Sequence, residues 1–300
     1  MATLRELVDE VSLMLEGYGL QQGRSAYVQG SVDDEQTTFV VNDASNIGEG
    51  IAELGDEMIY ILNVDGESNT VTLAPDGRGY MGSVADDHDP NTRLTMSPIF
   101  PRNLIKRKIN ECVVGLYPDL WGEAETEFTW NTIWITFELP SEVEDIVEVR
   151  FKEIIPTNEW PVIHHWELNR HADPDTFPTG VSIDIRDHRL YAGHTIKVVY
   201  RHAPTEFTDM DTEIIDTGLE NSARATIVYG AAERLVRGMD PSRLPVATSD
   251  VGEEVDQNPI GTAVQVATFL RRHYEQELAD EKRRQDTRTP AMITYTGSYL

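Results

Sequence analysis

The densest set of side chains able to do chemistry is His164-His165-Trp166-Glu167, followed by His171, Asp173 and Asp175. Imidazole and carboxylate at this short spacing are donors that zinc or manganese takes. A metal-dependent hydrolase centred on His164, His165 and His171 is the reaction they would serve. Adjacent residues of a strand point to opposite faces, however, so His164 and His165 do not share one ion there. No HExxH helix accompanies them, and the segment reads first as a solvated strand and loop. The acidic stretches Asp86-Asp87-His88-Asp89 and Asp173-Pro174-Asp175 offer oxygens for calcium but lack the spacing and glycine of an EF-hand, and read as turns. Trp130, Trp134, Trp160 and Trp166 could stack sugar rings, which makes a carbohydrate- or receptor-binding protein an alternative; core packing is the plainer account. There is no GxSxG elbow, and neither Gly48-Glu49-Gly50 nor Gly77-Arg78-Gly79 leads into the lysine and helix of a phosphate loop. Nothing here assigns a catalytic residue, a metal or a cofactor, and the chain is not expected to be an enzyme.

Composition bounds the class of protein without reaching its chemistry. The 300 residues carry 25 Lys+Arg against 52 Asp+Glu, a formal net charge of −27. That balance opposes wrapping around nucleic-acid phosphates, whose affinity comes from clustered Lys and Arg. The 40% apolar content is enough for a buried core. No run approaches the ~18 apolar residues of a membrane span, and the first residues lack the basic and apolar regions of a secretory signal. The lone Cys112 excludes an intramolecular disulfide and sits on a helical apolar stripe, so it reads as a small core residue.

Elements able to hold these residues follow from periodicity. Thr3 and Glu6 have capping-box spacing, and Leu4, Leu7, Val8, Val11, Met14 and Leu15 fall on one helical face. Residues 25–97 read as a small β-module, a barrel or sheet. After Pro98 and Pro101, a helix is expected through Leu104, Ile105, Ile109, Cys112, Val113 and Leu116 within 98–122. Over 124–205 the period becomes two: Ile133, Ile135, Phe137 and Leu139; Val147, Val149 and Phe151; Val181, Ile183 and Ile185; Ile196, Val198 and Tyr200. This predicts an inserted antiparallel, sandwich-like β-domain. Helices return over 212–288, the last opening at Asn258-Pro259. Residues 289–300 have strand character in Ala291–Thr296 but no sequence neighbour to pair with, so they are expected to fray or to add to a partner's sheet. The expected fold class is therefore α+β: a helical core that includes the helix of residues 1–20, with the small β-module, the inserted β-domain and an extended tail.

One segment is similar to a known module. Asp56-Glu57-Met58-Ile59-Tyr60-Ile61, Thr70-Val71-Thr72-Leu73, Arg78-Gly79-Tyr80-Met81-Gly82-Ser83 and His88 resemble the β-module of tailed-bacteriophage neck proteins. In those proteins an acidic residue opens a strand, a hairpin follows, then an Arg-Gly-aromatic-x-Gly-Thr loop and a histidine. Here Ser83 replaces the usual Thr, and the small-residue stretch before the histidine and the glycine after it are missing. The later order, strand Ile196–Arg201, paired helices with Tyr229–Leu235, a loop and a charged final helix, is similar to head-to-tail connector (adaptor) proteins.

The resemblance implies a structural virion protein in the neck, made in the host cytoplasm. It implies a homo-oligomeric ring, typically of twelve subunits, beneath the portal protein and above a downstream tail or stopper protein. Genomic DNA would pass through without specific binding, and surplus carboxylates would repel it, although solubility accounts for the charge equally well. No membrane and no cofactor enter. The residues expected at the portal or ring interface are Arg271, Arg272, Tyr274, Lys282, Arg283 and Arg284 on the last helix, and Pro290, Met292, Ile293, Tyr295 and Tyr299 in the tail. Gly79, Gly82 and His88 are expected to shape the loop, the glycines where a Cβ would clash.

Overall fold

The computed structural model describes residues 2–17, 24–131, 133–152, 160–237 and 262–288. The chain divides into two compact units, one built from Leu4–Cys112 with Ile227–Tyr274, the other from Met1–Thr3, Val113–Thr226 and Glu275–Leu300.

In the first unit, helix α1 (Leu4–Gly17) buries Leu4, Leu7, Val8, Val11 and Leu15, the i, i+3, i+4 stripe of its sequence. Six strands follow: β1 (Ser25–Tyr27), β2 (Thr38–Val40), β3 (Gly50–Leu54), β4 (Glu57–Asp65), β5 (Thr70–Leu73) and β6 (Arg93–Met96). They form one antiparallel sheet in the order β1-β6-β3-β4-β5-β2. Its two edges touch through a Val28–Val41 bridge, with Gln29 N–H donating to Val40 O (2.9 Å) and Asn42 N–H to Tyr27 O (2.8 Å), so the sheet curls into a half-barrel. This curling leaves Phe39, Leu54, Ile59, Ile61, Val71 and Leu94 in a common interior. Helix α2 (Arg102–Val114) buries Ile105, Ile109 and Cys112. Gly230, on helix α3 (Arg224–Arg237), packs so closely that a Cβ there would overlap Cys112 Sγ and the Tyr274 ring.

The second unit holds β7 (Gly122–Thr129), β8 (Thr136–Glu138), β9 (Asp145–Lys152), β10 (Val162–Ile163), β11 (Trp166–Asn169), β12 (Ser182–Ile185) and β13 (Thr195–His202). They form a four-stranded sheet, β10-β9-β13-β7, and a three-stranded one, β11-β12-β8. Alternate residues of both sheets, among them Val149, Phe151, Ile183, Ile185, Ile196 and Val198, share one core with Trp130 and Leu139. Ala2 and Thr3 join this unit: Ala2 N–H donates to Asn221 Oδ1 (3.0 Å), and Thr3 bridges Glu213. The last helix, α4 (Thr262–Arg288), buries the carboxylate of Glu281, which accepts from Ser222 Oγ (2.6 Å) and Arg284 Nη1 (2.8 Å).

The expected helical connector core is not found. Among the described residues, thirteen strands in three sheets stand against four α-helices, and each unit has an apolar cluster built on its sheets. The physical reason lies in α4. Among its described side chains only Leu270 and Glu281 are buried, so it lacks the broad apolar face that a bundle helix needs. The fold is predominantly β, with helices attached to the units.

Tight packing at the β7 start makes one test. A Cβ on Gly122 would lie 2.5 Å from the His202 ring, and Gly218, at φ +89°, meets the same ring. Gly122→Ala is expected to lower unfolding stability by about 1–3 kcal/mol, measured by urea denaturation, because the ring has to shift to admit the methyl.

Candidate functional site

The loop between β5 and β6 is held by a single carboxylate. Glu57 opens β4 and is buried, and four residues far along the chain converge on it, Asp86 by a long main-chain N–H bond to Oε2 (3.4 Å). Arg78 Nε donates to its Oε1 (2.8 Å) and Arg78 Nη2 to its Oε2 (2.9 Å), a two-pronged pair. Gly79 N–H donates to Oε1 (2.7 Å), and His88 Nε2 lies 2.8 Å from Oε2. Burial by itself would raise the Glu57 pKa, but the hydrogen bonds from His88, Arg78 and Gly79 and the Arg78 charge outweigh it and hold the carboxyl at about 2.

The remaining donors of Arg78 tie in the backbone. Its Nη1 donates to Asp33 O and to Gln36 O (2.9 Å), and its Nη2 to Asp86 O (2.7 Å). Ser83 Oγ accepts from Met58 N–H (2.9 Å), so the serine stitches the loop back to β4. His88 and Val32 exchange main-chain bonds of 2.8 and 2.9 Å. Gly79 takes φ +56°, and a Cβ there would stand 3.0 Å from Ser83 O. Gly82 is different. It has open space around it, and its glycine is required by φ +82° rather than by a clash. Met81, also left-handed at φ 55°, is 71% exposed, and Val84 is 82% exposed. A rigid base therefore presents an apolar tip to solvent.

The basic residues of α4 are mostly engaged within their own unit. Lys282 Nζ pairs with Asp119 (2.8 Å), Arg283 with Asp280 (3.1 Å) and Arg284 with buried Glu281 (2.8 Å). Arg271 and Arg272 are exposed, while the half-buried Tyr274 ring stacks under the Arg234 guanidinium at 5.6 Å. Pro290, Met292, Ile293, Tyr295 and Tyr299 lie outside the described residues.

Other sequence candidates disperse. His164, His165 and His171 are exposed, and among the described residues no three His, Cys, Asp or Glu side chains gather as a metal-ligand set. The Asp173 carboxylate caps its own turn through Asp175 N–H (3.1 Å), and Asp87 Oδ1 accepts from Asp34 N–H (3.0 Å). Trp130 is buried against Phe137, Trp166 packs on the same core, and Trp160 is covered by Lys197 Nζ at 4.9 Å, leaving only Trp134 well exposed. These four rings do not form an open stacking platform. Burial pushes the Cys112 thiol up to about 11, far from the thiolate.

Two features escaped the sequence reading. Ile133, Trp134 and Ile135, expected to alternate in and out of a core, are all exposed. Glu53 is buried at the start of α2, accepting from Arg102 N–H at 2.5 Å, and it borders a cleft with Arg5, Asp9, Asp56, Arg93 and Arg102. Burial raises its pKa to about 7, against the lowering effect of the Arg102 N–H and charge. A carboxylate between Ala52 and Leu54 carries no local signal of this, because its partner lies far along the chain.

No protein-family model matches this chain, and no curated protein matches it either.

Proposed function

We propose that this chain is a structural protein of the tailed-phage virion neck, an adaptor that assembles with copies of itself and links the portal to the tail without bond-making chemistry. The observation that carries the reading is the convergence on Glu57. The residues on which the resemblance rests, Glu57, Arg78, Gly79, Ser83 and His88, are spread over the β-module, yet they form one bonded unit with an exposed apolar tip. A buried, fully bonded network of this kind fixes a loop for docking; its histidine and carboxylate are closed to any substrate. The acidic balance of −27 suits a passage that DNA crosses without being held. The predominantly β architecture replaces the helical core in this account, so self-assembly rests on sheet edges, the loop tip and the exposed length of α4.

Purified full-length protein imaged by negative stain is expected to form closed rings. Gold-labelled antibody against it is expected to mark the neck of tailed particles produced from the genome that encodes it. Particles that are complete and infectious without the protein would overturn the reading.

A further inference from the structure

We infer that the open edge of β8 is a strand-docking site for residues 292–296 of a second copy of this chain, an inference that rests on the self-assembly part of the reading above. In the sheet order β11-β12-β8, β8 is an edge. Ile185 N–H donates to Ile135 O (2.9 Å) and Leu139 N–H to Val181 O (3.0 Å), which fixes the residues bonded to β12. By antiparallel alternation, Thr136 and Glu138 turn their N–H and C=O groups to the open side.

The two sheets treat their edges differently. β7, the edge of the four-stranded sheet, carries exposed Glu123, Glu125 and Glu127, the kind of charge that keeps other strands away. β8 is instead preceded by Ile133, Trp134 and Ile135, exposed at 77, 62 and 47%. β8 itself carries one carboxylate, Glu138, which accepts from Thr179 N–H (2.9 Å), and three consecutive apolar side chains beside so lightly charged an edge have the anatomy of strand addition, in which main-chain bonds bind and side chains select.

The occupant follows from charge and reach. In a chain with 26% charged residues, neither 128–137 nor 289–300 contains one. Two copies at −27 repel each other, and these uncharged stretches can approach with the least repulsion. Met292-Ile293-Thr294-Tyr295-Thr296 is a β-prone run that follows α4 directly. The end of α4 is tied to Trp121, whose O accepts from Gln285 Nε2 at 2.6 Å. Phe137 stacks on Phe128 at 4.4 Å, so β8 lies level with the far end of β7, roughly 23 Å from Trp121 at strand rise. The last turn of α4 and an extended Thr289–Ala291 together reach about 15 Å. That reach falls short of the span, so the segment does not begin on the β8 of its own copy, whereas the edge of a second copy sets no such limit.

The test mixes a Glu138→Cys chain with a Thr294→Cys chain and oxidises them; Cys112 is buried and stays out of the exchange. Covalent heterodimers are the expected product. Deleting 289–300, or introducing Ile293→Lys or the surface change Ile135→Lys, is expected to raise the concentration for half-assembly about tenfold or more in sedimentation, with circular dichroism unchanged. Two outcomes overturn this inference and leave the self-assembly reading standing: assembly indifferent to all three changes, or a Glu138→Cys/Thr294→Cys double variant that closes only within single chains. An unaltered chain that stays monomeric at every concentration overturns both.

Discussion

Glu57→Ala is expected to lower unfolding stability by about 3–5 kcal/mol, read from the urea midpoint at pH 7. The magnitude comes from what is left behind. The Arg78 side chain is 9% exposed and would keep its charge without the carboxylate that neutralises it. Gly79 N–H and His88 Nε2 lose the same acceptor, and an orphaned buried donor costs about 1–3 kcal/mol. Glu57→Gln retains one acceptor and is expected to fall between wild type and Ala. The double change with Arg78→Met should cost less than the sum of the singles, because the second removes the charge that the first strands. A loss from Glu57→Ala below about 1 kcal/mol would show that the loop does not depend on this carboxylate.

The pH dependence of this pair has a definite sign. Glu57 is held at about 2 in the folded chain against an ordinary 4.5. Its contribution is therefore fully present above the ordinary value and is lost as pH falls through about 2. Wild type minus Glu57→Gln should be flat above pH 5 and shrink steadily below it.

How far the sequence carries can be read from individual residues. In β13 the alternation of Ile196, Val198 and Tyr200 is the observed buried face, since a strand with one dry side writes that side into every second position. In β9 the same rule slips. Val149 and Phe151 are buried, but Ile146 replaces Val147, because the pairing register shifts between Val199 and Tyr200 and inserts one residue. A bulge is invisible to a period-two count. Ile133 and Ile135 show a second limit: apolar alternation says which residues would share a dry side, and both are exposed. The helices show the same limit on a larger scale. Apolar stripes in α2, α3 and α4 point to a bundle, but among its described side chains α4 brings only Leu270 and a buried, bonded Glu281 to the interior. At the loop, the residue types of the motif were legible, whereas their common partner was not. Bonds from Arg78 and His88 to Glu57 cross 21 and 31 positions, and no local pattern encodes them.

Glu53→Gln is expected to stabilise the protein at pH 8 by about 2–3 kcal/mol and to change little at pH 4.5. Leu54 pairs with Glu57 across the β3–β4 hairpin, so Glu53 and Glu57 sit a short step apart, yet they shift in opposite directions. The difference is what burial is offset by. Glu57 receives an arginine fork, a main-chain N–H and a histidine, whereas Glu53 has Arg102 N–H at 2.5 Å and an Arg102 side chain already turned to Asp9 and Asp56. Desolvation therefore wins at Glu53 and carries it to about 7. A carboxyl raised above its ordinary 4.5 contributes its stability in full below that value and loses it as pH rises through about 7. Glutamine keeps an oxygen for the Arg102 N–H and never ionises, so the variant should lack this downward step. Urea denaturation of both proteins between pH 4.5 and 8 gives the difference curve, with the other carboxylates cancelling. A flat difference would mean that Glu53 ionises at its ordinary value and that the start of α2 carries no proton-linked cost.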